Sequence, residues 1–344
     1  MTYVPPIAAA ICLTTGLMAA SAAAQEFYAG KQITMTVSSE AGNGYDTYAR
    51  AVTHYWAKHI PGQPTIVVKN MQSAGGLKTA NFLYNQAAKD GTDIGAVQNG
   101  TVFEKIFHTV SEGGKNALFD PTRFGWIGSP NQAVFVLVSW HDTPVKKFDD
   151  LYTHELIVGA SSANSDNGIN AILLNRVFGT KLKVIYGYPG PALDLAIERG
   201  ELQGAAGKDY SSILSVRPYW LAEKKINILI QMGMNSHADL KDVPTALDLA
   251  KSPEDRQVLE TIFAKYGMAR PCLTPPDVPA DRLAALRASF DATMTDPEFL
   301  ALADKQRLEI NPMTGKEVEA LVNRIFGTPE PLLAKAREAI QPGK

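Results

Sequence analysis

A formal net charge of -2 over 344 residues, with no polybasic run, excludes nucleic acid and lipid surfaces as expected partners. Only Cys272 lies beyond the first 24 residues, so no internal disulfide is expected and a buried, inert thiol is the simpler reading. The 320 residues left after those 24 exceed the roughly 250 to 300 that one core usually serves, which predicts two lobes.

Residues 7–20 form a short apolar run, and Ala22-Ala23-Ala24 before Gln25 fits a small-residue cleavage site. Residues 1–24 therefore read as an export signal, although only the amino terminus is cationic ahead of the run. Bulky Ile11 before Cys12 argues against a lipoprotein site. No later segment reaches about 18 consecutive apolar residues, so a soluble periplasmic or extracellular chain is expected.

Ile33-Thr34-Met35-Thr36-Val37 alternates with the period of a strand, and Tyr48, Ala49, Val52, Tyr55, Trp56 and Ile60 recur at helical spacing. Between them lies the turn Gly42-Asn43-Gly44-Tyr45-Asp46. A glycine turn at the carboxyl end of a strand aims unpaired helix N–H groups beyond the sheet edge, where an anion is favoured. A second turn, Ser73-Ala74-Gly75-Gly76, follows the strand pattern of residues 65–69. Neither is a nucleotide motif: no P-loop Gly-Lys-Ser/Thr follows, and the third glycine of the dinucleotide fingerprint is missing. Glycines that merely relieve strain explain either turn alone. A pair in consecutive units favours a ligand.

Residues 93–97 form the third strand pattern, with Asn99 at its end. Residues 126–128 follow, then the continuous apolar run 133–138, as expected of a strand buried on both faces. The pattern restarts at Leu156-Ile157-Val158-Gly159-Ala160. The polar stretch from Ser161 to Gly168 comes next, and a helix carries Ile169, Ile172, Leu173 and Val177. Ser161, Ser162, Asn164 and Asn167 are suited to donate to a carboxylate, while N-capping accounts for one or two such residues. Val184-Ile185-Tyr186 leads into a turn with Tyr186, Pro189 and Gly190, then a helix with Leu193, Leu195, Ala196 and Ile197. Gly204-Ala205-Ala206 reads as a short strand that places Lys208 and Asp209 at its end. Lys208 is a candidate for a distal carboxylate, against the alternative of a solvated pair with Asp209. Residues 226–232 are a further buried strand.

The last third reads as helical. Ser252-Pro253-Glu254-Asp255 and Asp296-Pro297 are helix starts, and Thr314 with Glu317 fits a capping box. Alternating strands and helices predict an α/β fold of two lobes, each a mostly parallel sheet flanked by helices. Such sheets bind ligands beyond the carboxyl ends of their strands. No catalytic set emerges. Gly159-Ala160-Ser161-Ser162-Ala163 lacks the second glycine of a nucleophile elbow, and the six histidines show no metal-ligand spacing. Asp46, without a partner nucleophile or acid, reads as a helix cap or a water-ordering group rather than a general base. No enzyme activity, cofactor or metal is expected.

These turns, in this order, resemble the substrate-binding components of tripartite tricarboxylate transporters, the Bug receptor family. Gly42, Gly44, Asp46, Ala49 and Arg50 answer to that family's first turn, and Asn70, Ala74, Gly75 and Gly76 to its second. Asp90-Gly91, Phe119-Asp120-Pro121 with Trp126-Ile127-Gly128, and Tyr186-Gly187 with Gly190-Pro191-Ala192-Leu193 continue the series. Asp242-Val243-Pro244-Thr245 and Asp296-Pro297 complete it across nearly the whole chain. The chain departs from the family at Asn43, at Ser73 in place of a glycine, and at Gly187 in place of a lysine.

The resemblance implies a type II periplasmic-binding-protein fold that captures a small carboxylate in an interlobe cleft. The ligand is a di- or tricarboxylate or, if Tyr45, Tyr186 and Tyr188 stack on it, an aromatic acid. Membrane permease subunits are the implied partners, and the receptor itself a monomer. The implied lobes are residues 25–130 with 266–344, and residues 131–265. The crossing strands are residues 133–140 outward and 267–273 back. A ligand-sensing subunit for a histidine kinase is the alternative, and a secreted hydrolase or transferase a further one.

Overall fold

The computed structural model describes residues 27–42, 44–72, 76–107, 115–163, 165–188 and 190–341. The expected export signal and the candidate site residues Asn43, Ser73, Ala74, Gly75, Asn164 and Pro189 lie outside the described residues.

Alternation builds the first strand. In β1 (Gln32–Val37), Ile33, Met35 and Val37 are fully buried, which fixes the face that meets the core. Helix α1 (Gly44–His59) lays Ala49, Val52 and Trp56 into the same core. Next come β2 (Thr65–Asn70), α2 (Leu77–Asn85), β3 (Asp93–Ala96) and, after short helical turns, β4 (Gly125–Ser129). β1 pairs in parallel with β2 on one side, Val37 opposite Asn70, and with β3 on the other, Val37 opposite Ala96.

The pattern then restarts with β5 (Phe135–Trp140), β6 (Leu156–Ala160), α3 (Asp166–Phe178), β7 (Leu182–Tyr186) and α4 (Pro191–Glu198). β8 (Gly204–Asp209), α5 (Tyr210–Val216), β9 (Ile226–Met232) and α6 (Pro253–Gly267) follow. The last part holds β10 (Cys272–Thr274), α7 (Ala280–Met294), α8 (Pro297–Lys305), β11 (Met313–Thr314), α9 (Gly315–Phe326) and α10 (Glu330–Ile340).

Two compact units result. One runs through Asn131 and takes up again over Met268–Asn323; the other holds Gln132–Gly267 and the chain from Arg324 on. Their sheets run β11-β4-β10-β3-β1-β2 and β7-β6-β8-β5-β9. Both are mixed sheets in which most strands share one direction. β10 is antiparallel to β3 and β4, and β5 is antiparallel to β8 and β9. The reason is directional: β5 and β10 each enter their sheet at the edge where the parallel strands end. The two expected crossing strands therefore lie each within one unit, β5 in the second and β10 in the first.

The C-terminal segment also departs from expectation, because the chain from Arg324 on belongs with the second unit and not with the first. α10 buries Leu333, Ala336 and Ala339 and packs on α3 and α6. Arg176 of α3 holds its end, donating to the carbonyls of Glu338 at 2.7 Å and Gln341 at 2.9 Å. Proximity in sequence to the first unit carries no weight against that burial.

The first core centres on Trp56, whose indole Nε1 donates to Ser289 Oγ at 2.8 Å and whose ring meets Phe290 edge-on. Cys272 lies in this core, and burial pushes its thiol up to about 12. A thiol-alkylating reagent at pH 8 should therefore leave Cys272 unmodified in the native chain and label it after denaturation, as peptide mapping will show. Labelling of the native chain at the rate of the denatured one would contradict its burial.

Candidate functional site

Parallel pairing brings the ends of β1, β2 and β3 to one edge of the first sheet, and the turns singled out in the sequence follow those ends. Asp46, in the first turn of α1, is 2% exposed and organises this edge. Its Oδ2 accepts from the Gly42 N–H at 2.8 Å and from Arg50 Nε at 2.9 Å; its Oδ1 accepts from Asn70 Nδ2 at 2.8 Å. Asn70 Nδ2 also donates to the Ser39 carbonyl at 3.0 Å, and Arg50 Nη2 donates to Asn70 Oδ1 at 3.0 Å. Burial alone would raise the Asp46 pKa. The Arg50 guanidinium, the Gly42 N–H and the Asn70 amide outweigh it and hold the carboxyl below the usual range. Both oxygens are engaged, so Asp46 shapes the edge and is not a free ligand group.

Gly42 and Gly44 are exposed and open: a Cβ on Gly42 meets nothing within 4 Å. Gly76 differs. It caps α2 at φ 96, and a Cβ there would stand 2.5 Å from Thr101 Oγ1, so backbone strain and close packing explain this glycine. The Tyr45 hydroxyl donates to Asn99 Oδ1 at 3.1 Å and accepts from the Asn99 N–H at 3.2 Å, which joins two predicted site residues.

One residue of this edge escaped sequence reasoning. Arg270 precedes β10, distant in sequence from every glycine turn. Its guanidinium carbon stands 4.8 Å from the Tyr45 ring centroid and 5.1 Å from that of Tyr48. Its Nε, and Oδ1 of Asn131, are buried without a hydrogen-bond partner. The signal available was only the spacing of Tyr45 and Tyr48, which share a helix face three residues apart.

In the second unit the ends of β6, β7 and β8 share an edge. Ser161 and Ser162 are exposed there. Ser165 is the N-cap of α3, its Oγ accepting from the Gly168 N–H at 3.3 Å and donating to the Ser162 carbonyl at 2.7 Å. Gly168 is required by packing, because a Cβ would lie 2.2 Å from the Ser162 oxygen. Asn167 Nδ2 is buried and has no partner, a donor left over after capping. Tyr186 is 45% exposed at the end of β7, Tyr188 packs against the core, and Gly190 caps α4 at φ 45.

Two further candidates are occupied. Asp209 caps α5, its Oδ1 accepting from the Ser211 N–H at 3.2 Å and the Ser211 hydroxyl at 3.0 Å. Lys208 pairs neither with Asp209 nor with open solvent. Its Nζ lies 2.5 Å from Asp194 Oδ1, with side chains only 16% and 8% exposed. α4 brings Asp194 to β8, an approach that nothing in the local sequence announces. Among the described residues no group of three His, Cys, Asp or Glu side chains is placed to hold a metal, and no helix is long and apolar enough to cross a membrane.

No protein-family model and no curated protein matches the sequence. Solved structures do match the fold. A TctC solute binding protein from Polaromonas superposes with a TM-score of 0.71 at 16% identity, over 91% of this chain and 99% of that one. The periplasmic binding protein BugD gives 0.58 at 17%, over 91% and 98%. MatC from Rhodopseudomonas palustris, solved with bound malate, gives 0.56 at 17%, over 90% and 99%. At this identity the likeness establishes the fold, that of the two-lobed periplasmic solute-binding proteins.

Two substitutions check the internal roles. Asp46→Asn should cost about 1–3 kcal/mol at pH 7 by breaking charge-assisted bonds. The folded-state pKa lies below the unfolded value of about 3.9, so this stabilisation is present above about pH 4 and is lost as the pH falls further. Thermal melts of parent and variant should therefore converge below pH 4. Lys208→Met should lower stability by about 3 kcal/mol, the low end for breaking a buried pair, because Arg217 Nε stays 3.9 Å from Asp194. An unaltered denaturation midpoint would mean that the pair contributes nothing.

Proposed function

We propose that this chain is a periplasmic solute receptor of the tripartite tricarboxylate transporter type, binding a small carboxylate metabolite and delivering it unchanged to membrane permease subunits. The observation that carries the reading is the edge of the first unit. There a 16-residue helix begins at an exposed glycine, and the one carboxylate in its first turn is fully engaged within the fold. The helix N-terminus keeps a net attraction for an anion from outside. In the second unit, exposed Ser161 and Ser162, the unpartnered Asn167 amide and Tyr186 are the groups proposed to contact the solute. Asp46, Lys208 and Asp209 are left out of that set because their charges are used internally. Asn43, Ser73 to Gly75, Asn164 and Pro189 stay in the proposal from sequence position alone.

The likeness to solute-binding proteins, one of them solved with malate, supports the same reading. Export of the chain and a monomeric receptor belong to the proposal. A non-enzymatic role is supported by Cys272, whose raised pKa and burial make it a poor nucleophile.

A thermal-shift panel of malate, succinate, adipate, citrate and benzoate tests it. An acid present at about 100 times its dissociation constant should add roughly 2.7 kcal/mol to stability. Mass spectrometry should recover that acid unaltered after incubation. A panel in which no acid raises the melting temperature would remove the receptor reading, and turnover of any member would replace it with an enzyme.

A further inference from the structure

The geometry points to Arg270 as the residue of the first unit that reads a carboxylate group of the solute, an assignment that rests on the receptor reading above. Its guanidinium lies against two aromatic rings on one face of α1, those of Tyr45 and Tyr48. Both rings are tethered at their hydroxyls. Tyr45 donates to Asn99 Oδ1 and Tyr48 to the Glu309 carbonyl, each at 3.1 Å. The backbone of Arg270 is held as well, its N–H donating to Ser129 Oγ at 3.1 Å. The cation therefore sits on a platform fixed on several sides, which reduces the conformational entropy lost when it engages a partner.

What this cation lacks is an anion. Its one side-chain hydrogen bond among the described residues runs from Nη1 to the carbonyl of its own neighbour, Ala269, at 3.2 Å. Nε is buried with no acceptor, and no carboxylate among the described residues pairs with the guanidinium. Cation–π attraction offsets only part of the lost hydration.

The surroundings sharpen the point. Nη2 stands 3.7 Å from where a Cβ of Gly44 would lie, so the guanidinium borders the first residue of α1. A helix N-terminus and an arginine cation side by side together favour an anion that lies against both. The missing side chain at Gly44 leaves the approach open. A planar carboxylate matches the guanidinium fork with two parallel hydrogen bonds, and helix N–H groups add to them. The competing account makes Arg270 a clamp that merely orders Tyr45 and Tyr48.

Calorimetric titration of the full chain with malate, succinate, adipate, citrate and benzoate selects the tightest of the five acids. That acid and its amide, in which one carboxylate is neutralised, are then titrated into Arg270→Gln and Arg270→Lys. Arg270→Gln should weaken the acid about ten- to a hundredfold and leave the amide within about twofold. Arg270→Lys, which keeps the charge and stem but not the fork, should show a smaller loss confined to the acid. Equal losses for acid and amide, or no loss for either, would establish the clamp and overturn the assignment. If Arg270→Gln does not unfold cooperatively, the Lys variant decides alone: an acid-to-amide preference equal to that of the parent overturns the proposal. A parent chain that binds none of the five acids removes the receptor reading and this assignment together. Binding by the parent with an unaffected Arg270→Gln removes only the assignment.

Discussion

The carboxylate of Asp46 is the constraint on which the first unit's edge depends. It joins three elements that sequence keeps apart: the Gly42 turn, the first helix through Arg50, and the end of the second strand through Asn70. An acid in the first turn of a helix normally neutralises the helix N-terminus itself. Here its two oxygens face inward to donors of the fold. The consequence is that this carboxylate is engaged by the Gly42 N–H, Arg50 and Asn70 within the fold.

Arg270 belongs to the same logic. Arginine is more weakly hydrated than lysine and stacks on aromatic faces, so it tolerates a partly buried position between two tyrosines. A lysine there would demand hydration that the rings cannot supply. Placing the cation just ahead of the strand that returns to the first sheet, rather than in a glycine turn, brings it to the carboxyl edge without lengthening either turn.

The second unit handles its polar residues differently. Ser165, Asp209 and Asp166 begin helices or pair internally, Asp166 lying 2.5 Å from Lys265 Nζ and accepting from the Tyr266 hydroxyl at 3.1 Å. Burial, and then the nearby Asp166 charge, raise the Tyr266 pKa well above its ordinary value, so that hydroxyl stays protonated and donating. What remains is a short run of exposed hydroxyls, one buried unpartnered amide and an exposed tyrosine. That set donates hydrogen bonds without carrying charge.

By itself the sequence determined the succession of strands and helices, because periodicity is local and burial of one face follows from it. The first turn was legible too, as was the pairing of an acid at residue 46 with the start of a helix. So were the caps at Asp296, where the carboxylate accepts from the Glu298 N–H, and at Thr314 with Glu317. Tertiary structure decided the rest. Strand direction depends on which edge the chain enters, which no local pattern records, and so the sheets are mixed. Lys208 found Asp194 rather than Asp209, since a buried charge takes the partner that packing brings to it. α10 joined the second unit because α3 and α6 bury its apolar face. Arg270 met Tyr45 and Tyr48 only when the strand after it was inserted between β3 and β4, a juxtaposition of residues more than two hundred positions apart.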